Sequence, residues 1–259
     1  LKELNDNEKI VLDGEKGLLI KNPNVSTINL YKKKIEEQKN QDKKLNYLKT
    51  IFPSTSDGVK VRIEANIDNV DEAKESIKRG VDGIGLFRSE YLFLNKKRMP
   101  SENEQFEYLK KTLKYLKGKP LTIRTLDVGN DKKIPSIEKF LPKSPNPALG
   151  LRAIRLTLAF PKIFKRQIAA IHRASNYGNV RIMLPMVSNV SELMEAKRLI
   201  EEVRSDLVKR KVKIPKSNLK LGVLIETPAA ALISESLAKH CDFLAIGTND
   251  LTMYTLAID

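Results

Sequence analysis

The sequence predicts an α/β fold, a (β/α)8 barrel of the TIM type of which this chain supplies about six of the eight βα units. Three observations support this prediction. From residue 59 onward, short apolar runs alternate with amphipathic helical patterns. The apolar runs are nearly continuous, which is typical of parallel strands buried on both faces. About six such units in roughly 200 residues fit a barrel better than an open sheet.

The first part of the chain has a different pattern. Residues 1–27 alternate short apolar runs with turns, and Asp13-Gly14 followed by Gly17 indicates a β-hairpin. Residues 28–56 predict a charged linker helix that ends at "FPSTSDG", and a helix with few apolar positions often bridges domains. We therefore divide the chain into a β remnant (1–27), a linker helix (28–56) and a barrel (57–259). We expect the barrel to end before its last two strands.

The barrel elements are delimited by local signals in chain order. Asp68 is predicted to cap the helix after the first strand, and Ser101 with Glu104 forms a capping box before the next helix. Pro161 marks a break in the long helix that precedes the fourth strand, and Thr227 begins the helix after the fifth. The predicted strands are "VRIEANI", "VDGIGLF", "LTIRTLDV", "VRIMLPMV", "LKLGVLIE" and "DFLAIG".

The amino-acid composition argues against a disulfide-stabilised, a membrane-spanning and a nucleic-acid-binding protein. The single cysteine, Cys241, precludes a disulfide within the chain and fits a reduced, cytoplasmic protein. No apolar run approaches the roughly 20 residues that cross a bilayer, so no membrane insertion is expected. The net charge of +15 would suit nucleic acid, but the lysines are mixed with acidic residues and are not interleaved with aromatic ones. We therefore expect no nucleic-acid partner, and a basic surface that attracts small anions.

Charged and polar residues follow the predicted strands, where the chemistry of such barrels is placed. Arg88 and Arg124 offer planar guanidinium groups that match phosphate geometry. Glu226 and Asp250 end neighbouring strands, and Mg²⁺ usually takes only one or two protein carboxylates. Asn249 lies beside Asp250. The pattern predicts a site for a small molecule that carries a phosphoryl group and metal-chelating oxygens.

Each of these residues also has a structural interpretation. An arginine at a strand end is commonly a salt-bridge partner, Glu226 stands where it would complement a helix N-terminus, and Asp250 where it would cap a turn. Spacing alone leaves both interpretations open. His172 lies within a helical pattern and His240 ends one, so we expect both to be structural or on the surface.

Long motifs resolve this ambiguity. "GIGLFRSEYLF", "RTLDVGNDK", "NPALGLRAIR", "LIETPAAA" and "IGTNDLTMYTLAID" closely resemble the C-terminal barrel of enzyme I of the phosphoenolpyruvate-dependent sugar phosphotransferase system, within the PEP-utilising enzymes. The resemblance covers residues 59–259 almost continuously. Residues 1–50 resemble the end of that family's phosphohistidine domain and its helical linker.

The resemblance implies a function and a set of ligand contacts. The family is a phosphoenolpyruvate–protein phosphotransferase, a cytoplasmic homodimer that associates through the barrel. It moves the phosphoryl group of phosphoenolpyruvate to its own histidine, leaving pyruvate, and then to a histidine-containing phosphocarrier protein for sugar uptake. The matching positions here are Arg88 and Arg124 for the phosphoryl group, Arg152, Asn249 and Asp250 for the substrate, and Glu226 with Asp250 for Mg²⁺.

The sequence also departs from the family pattern. The family's Gly-Gly-Thr-Ser-His-type acceptor segment and its catalytic cysteine loop are absent, so we expect no catalytic residue in this chain and no activity from it alone. Asn130, Ala245 and Met253 replace the usual Gly, Ser and Gln. Two alternatives are the barrel of pyruvate phosphate dikinase, phosphoenolpyruvate synthase or another Mg²⁺–enolate lyase, and a non-catalytic module that binds acidic partners or nucleic acid.

Overall fold

The computed structural model describes residues 4–48, 51–94, 96–132 and 134–258. They form two compact units, divided between residues 61 and 62. In the first unit, β1 (Ile10–Asp13) and β2 (Leu18–Lys21) pair in an antiparallel hairpin, with Gly17 at a φ of +63° in the turn. This confirms the predicted hairpin. A helix, α1 (Val25–Leu48), follows. The proposed domain boundaries at residues 27 and 56 stay a prediction.

The second unit contains six parallel strands that pair in the order of the chain. Consecutive parallel neighbours with a crossover between each pair produce a curled sheet, and this half-barrel confirms the predicted incomplete (β/α)8 fold. The strands are β3 (Glu64–Ile67), β4 (Gly83–Arg88), β5 (Leu121–Arg124), β6 (Val180–Leu184), β7 (Lys220–Ile225) and β8 (Phe243–Ile246).

Nine α-helices connect or follow these strands in the described part of the second unit. Short 3₁₀ turns lie at Ser89–Leu92 and Ser175–Tyr177. The α-helices are α2 (Val70–Lys78), α3 (Glu102–Leu116), α4 (Pro135–Glu138), α5 (Ala153–Ala159), α6 (Pro161–Ala174), α7 (Val190–Lys209), α8 (Pro228–Leu232), α9 (Ser234–Ala238) and α10 (Thr248–Leu256).

Most of the predicted helix signals are confirmed. Ser101 and Glu104 form the capping box of α3, and α5 ends where Pro161 begins α6. The predicted cap of α2 was wrong by one residue, because the side chain of Asn69 accepts from the N–H of Glu72 while Asp68 pairs with an arginine instead. Thr248, Asn249 and Asp250 form the first turn of α10, so Asp250 lies inside a helix.

The β5 and β6 strands end several residues before their predicted ends, where side chains, and not neighbouring strands, accept from the backbone N–H groups of Leu126 and Met186. Beyond β5, the N–H of Leu126 donates to Gln167 Oε1 at 2.9 Å. Beyond β6, the N–H of Met186 donates to a Glu226 carboxylate oxygen at 2.6 Å. The chain therefore leaves the sheet at the edge where the charged residues collect.

The core lies between the sheet and its helices. Fully buried aromatic side chains from the β4 strand and α6 contribute to it, among them Phe87 and Phe164, and α3 packs against α6. Burial of each such ring stabilises the fold by roughly 2–3 kcal/mol. No helix in the described ranges combines the length and the apolar character needed to cross a membrane.

His172 lies inside this core on α6, away from the strand ends, as the structural interpretation predicts. Burial, together with the positive charge of Arg204, lowers the pKa of His172 to about 4 from its ordinary value of 6.5. The neutral ring is therefore favoured in the folded state, and its contribution to stability is complete above pH 6.5 and is lost as the pH falls towards 4.

At pH 5 the His172 ring is protonated in the unfolded chain but mostly neutral in the folded protein. We expect this difference to lower the free energy of unfolding by about 2 kcal/mol relative to neutral pH. The measurement is urea unfolding at pH 7, 6, 5 and 4.5 for the wild type and for His172→Gln, which cannot titrate. As the pH falls, the free energy of unfolding of the wild type should decrease more than that of His172→Gln. A difference that is constant over this range would contradict the assignment.

Candidate functional site

A cavity of about 680 Å³ opens at the carboxyl ends of the strands. Parallel strands that run in chain order bring all their carboxyl ends to one edge, so residues far apart in sequence meet there. Apolar parts of the wall come from Met183, Leu224 and Ile246. The structure places all six predicted ligand residues in this cavity: Arg88, Arg124, Arg152, Glu226, Asn249 and Asp250.

Arg88 and Arg124 end adjacent strands, and they are paired in register between β4 and β5. Arg88 is 40% exposed, and its Nη1 donates to Asp68 Oδ1 at 2.9 Å. Arg124 is only 7% exposed, and its Nη2 lies 2.5 Å from Glu90 Oε1. The two guanidinium groups therefore have different surroundings, one open to solvent and one held in a buried ion pair. Both are also salt-bridge partners, as the structural interpretation allows.

Asp127 is the centre of the charge network. Its carboxylate accepts from Arg152 Nε at 3.1 Å and lies 3.1 Å from Arg124 Nη2 and 3.6 Å from Lys132 Nζ. Burial by itself raises the pKa of Asp127, but the three cations outweigh burial and lower it to about 2. Asp127 is therefore ionised at neutral pH and holds three cations at the floor of the cavity.

Arg152 connects the middle of the sheet to its last helix. It is buried at the N-cap position of α5, where its backbone is extended. Its Nη1 donates to the Tyr254 hydroxyl on α10 at 3.0 Å, and its Nη2 lies 3.4 Å from Asp250 Oδ1. The Tyr254 hydroxyl in turn donates to the carbonyl of Ala148 at 2.5 Å. This chain of contacts fixes Asp250 at the rim of the cavity.

Glu226 is fully buried at the end of β7. Burial is the main cause that raises the pKa of Glu226 to about 8, and the carboxylates of Asp127 and Asp250 add to it. Arg124 and the N–H of Met186 act in the opposite direction. Thr227 caps α8 with its side chain, and the Glu226 carboxylate accepts from the N–H of Met186.

Gly247 allows the last strand to approach Glu226 closely. A Cβ atom at position 247 would lie 2.7 Å from Glu226 Cβ and 2.9 Å from Glu226 Oε2, distances that a real Cβ does not tolerate. A glycine is therefore required at this point if the carboxylate is to stay in place.

The residues present fit a divalent cation. Across the described ranges, no group of three or more His, Cys, Asp or Glu side chains forms a complete metal cluster. Mg²⁺ needs only one or two protein carboxylates, because water and substrate oxygens fill its remaining positions. Glu226 and Asp250 both line the cavity and are the two carboxylates that could hold such an ion. The environment of Glu226 disfavours its anion, and a bound cation would relieve that cost.

Several cavity residues lie outside the predicted set. Glu90 accepts from both Arg124 Nη2 and Lys132 Nζ, and its second carboxylate oxygen has no partner among the described residues. Asp127, which follows β5 in the motif "RTLDVGNDK", was not among the predicted ligand residues either. Both Glu90 and Lys132 lie within the quoted motifs "LFRSEYLF" and "RTLDVGNDK", and that position is the signal that could have identified them.

The structure also shows where two residues that depart from the family pattern, the two histidines and Asn249 lie. Ala245 lines the cavity, and Asn130 donates to the carbonyl of Pro142 at 3.0 Å in the loop that leads to α5. His172 and His240 do not line the cavity. Asn249 lines it and makes no side-chain hydrogen bond to another described residue, so its amide is available to a ligand.

The fold and the cavity define a barrel-type domain with charged side chains gathered at the carboxyl ends of its strands. Residues 42–259 match the PEP-utilising enzyme family, PEP-binding domain. The chain is 41% identical over 257 residues to the phosphoenolpyruvate-protein phosphotransferase of Staphylococcus epidermidis and 42% identical over 257 residues to that of Borreliella burgdorferi. The chain therefore belongs to the PEP-utilising enzyme family.

These matches cover nearly all of the chain but only part of the relatives. The alignments include 99% of this chain and 44% of each of those two proteins. The protein of the same name from Buchnera aphidicola subsp. Schizaphis graminum is 40% identical over 260 residues, which is 45% of its length. The chain thus spans less than half the length of the curated relatives it matches.

We expect Asp127→Asn to lower the free energy of unfolding by about 3–5 kcal/mol, because it leaves three cations at the floor of the cavity without their shared counter-charge. Urea unfolding at pH 7 measures the change. Asp206→Asn is the matched control, since Asp206 is 60% exposed on α7 and its one ion pair among the described residues is with the surface residue Arg210, and its effect should stay within about 0.5 kcal/mol. Equal stability of the two variants would show that the network is not a structural requirement.

Proposed function

We propose that this chain is the phosphoenolpyruvate-binding part of a phosphoenolpyruvate–protein phosphotransferase, enzyme I of the sugar phosphotransferase system. The observation that supports it most directly is the single cavity in which Arg88, Arg124 and Arg152 stand beside Glu226 and Asp250. Phosphoenolpyruvate carries a phosphoryl group and a carboxylate, and such a ligand matches a cavity with several cations and a carboxylate pair.

In this proposal Arg88 and Arg124 hold the phosphoryl group, and Lys132 adds a third positive charge beside them. The guanidinium groups bind phosphoryl oxygens with two parallel N–H donors and neutralise the charge of the group as it leaves. Glu90 and Asp127 keep Arg124 in one orientation before the ligand arrives. The donors are therefore oriented in advance, which lowers the entropic cost of binding.

Arg152 and Asn249 hold the carboxylate end of the substrate in this proposal, while Glu226 and Asp250 hold Mg²⁺. When bound there, Mg²⁺ would supply positive charge that offsets negative charge on the substrate oxygens. Asp250 stands within 3.4 Å of Arg152, so the metal side and the carboxylate side of the site share one contact.

The acceptor of the phosphoryl group is proposed to lie on another part of the protein. His172 is buried in α6, and neither it nor His240 lines the cavity. We propose that the acceptor is a histidine of a phosphohistidine domain that includes residues 1–27, with residues 28–56 as the linker to a barrel at 57–259. The phosphoryl group then passes to a histidine-containing phosphocarrier protein. A cytoplasmic homodimer through the barrel, with no activity of this chain alone, belongs to the same proposal.

Arg88→Ala and Arg124→Ala should separate binding from stability. We expect each to weaken phosphoenolpyruvate binding in the presence of Mg²⁺ by about tenfold or more, since each removes charged donors to the phosphoryl group. Only Arg124→Ala should also lower the free energy of unfolding, by about 3 kcal/mol, because it removes a buried cation shared by Glu90 and Asp127 and leaves Glu90 with Lys132 alone. Titration calorimetry and urea unfolding provide the two measurements.

Arg79→Ala is the control for these variants, because Arg79 is 72% exposed on the surface beside α2 and, in the part of the chain that the structure describes, forms an ion pair with Glu75 alone. It should leave both affinity and stability near those of the wild type. Wild-type affinity in Arg88→Ala would remove Arg88 from the proposed phosphoryl site.

Glu226→Gln keeps the shape of the side chain but removes a metal ligand. We expect Mg²⁺ to strengthen phosphoenolpyruvate or oxalate binding to the wild type and to have no such effect on this variant. Calorimetric titrations in Mg²⁺ and in EDTA give the comparison. Glu235→Gln, at an 89% exposed position on α9, is the matched control and should behave as the wild type. If Mg²⁺ enhances binding to Glu226→Gln as well, the metal-ligand assignment is wrong.

A further inference from the structure

A second cavity, of about 670 Å³, lies on the outside of the half-barrel and shares no residue with the strand-end cavity. Its walls are the loop at residues 97–99, the region of α4 and the junction between α5 and α6. The volume is in the range of sites that bury most of a small molecule. Nothing in the proposed phosphotransfer uses this cavity, so its chemistry requires a separate explanation.

The rim of this second cavity is strongly basic. Arg98 is bound to Glu104 through two hydrogen bonds of 2.8 and 3.0 Å. The other four cations make no ion pair within the described residues, and no described carboxylate lines the cavity. Four uncompensated positive charges around one concavity favour an anion. They are Lys97, Lys139, Lys162 and Arg166.

The inner wall of the second cavity is apolar and partly aromatic. The rings of Phe140 and Phe160 lie with their centroids 4.9 Å apart at an angle of 57°. Met99 and Ile163 complete the wall, and both pack with the core. An apolar wall below a basic rim fits a ligand with a flat apolar body and an anionic group at one end.

The N-terminus of α6 and the hydroxyl of Ser136 add hydrogen-bond donors to the second cavity. The N-terminus of α6, a helix of 14 residues, borders the cavity, and no side chain caps it. Pro161 has no N–H, and the N–H of Ile163 donates to the carbonyl of Phe160 at 2.9 Å, so the helix dipole and the N–H of Lys162 are what this N-terminus offers to an anion. Ser136 also lines the cavity, and its buried Oγ has no hydrogen-bond partner in the described part of the protein. A buried hydroxyl without a partner costs stability unless a ligand satisfies it.

We propose that this second cavity binds a small organic anion, a phosphate monoester with an apolar or aromatic body. The anionic group lies between the α6 N-terminus, Lys162 and Arg166, the Ser136 hydroxyl donates to it, and the body rests on Phe140 and Phe160. A concave site of this size suits one compact molecule and not an extended nucleic acid strand.

Phenyl phosphate is the probe, with inorganic phosphate and phenol as its two separate parts. Ile163 lines the second cavity, so its δ1 methyl group, observed by ¹³C–¹H NMR, reports on binding there. We expect this signal to shift and saturate with phenyl phosphate, and to require at least about tenfold more inorganic phosphate or phenol. Equal response to inorganic phosphate alone, or no shift of Ile163, would overturn the proposal.

Ser136→Ala tests the hydroxyl without threatening the fold. Because Ser136 Oγ has no hydrogen-bond partner within the described ranges, its removal should leave the melting temperature unchanged or raise it, while phenyl phosphate binds about fivefold more weakly. Arg166→Ala should weaken binding about tenfold. Arg198→Ala, at a 59% exposed position on α7 outside the cavity, is the control and should bind as the wild type. Unchanged affinity in both Ser136→Ala and Arg166→Ala would contradict the proposal.

The proposal is independent of the proposed phosphoenolpyruvate site, and the same experiment separates the two. Saturation of the strand-end cavity with phosphoenolpyruvate and Mg²⁺ should leave the Ile163 response to phenyl phosphate intact. Loss of that response in phosphoenolpyruvate, or in Arg124→Ala, would mean that the probe acts through the strand-end cavity, and the second site would then be rejected. If the Ile163 signal responds normally to phenyl phosphate but the protein does not bind phosphoenolpyruvate, only the proposed function is rejected.

Discussion

The buried carboxylate of Asp127 is the constraint on which the rest of the strand-end site depends. Three cations converge on it, from the end of β5, from the start of α5 and from the loop between them. Cations brought together in a poorly hydrated cavity repel one another, and a shared counter-charge makes their proximity tolerable. The sheet brings the residues to one edge, but this ionised carboxylate keeps them pointing into a common space.

The electrostatic environment of Glu226, in the same cavity, is the opposite of that of Asp127. Burial and neighbouring carboxylates disfavour its anion, whereas Asp127 is kept ionised by its cations. The cavity therefore has one region rich in compensated positive charge and one region where negative charge lacks compensation. Two such regions side by side are suited to a ligand that is itself an anion chelating a cation.

Much of this arrangement could be predicted from the sequence, and the misses have physical causes. The alternation of apolar runs and helical patterns identified all six strands of the half-barrel, and the residues after them formed one cavity. Glu90 and Lys132 lie within the quoted motifs, but spacing does not show their role, which comes from the contacts that Glu90 makes with Arg124 and that Lys132 makes with Glu90 and Asp127 in the folded chain. Strand ends were overextended at Leu126 and Met186 because side chains take their N–H groups.

The contact between Arg152 and Tyr254 has a consequence for local unfolding. It joins residues 102 positions apart in the chain, and Tyr254 also bonds to Ala148. α10 buries none of its residues fully, so these polar contacts are a main attachment of that helix to the half-barrel. A local opening of α10 therefore releases the loop before α5 at the same time, and the two segments form one cooperative unit. Asp250 lies on α10, so its position in the cavity depends on that unit staying closed.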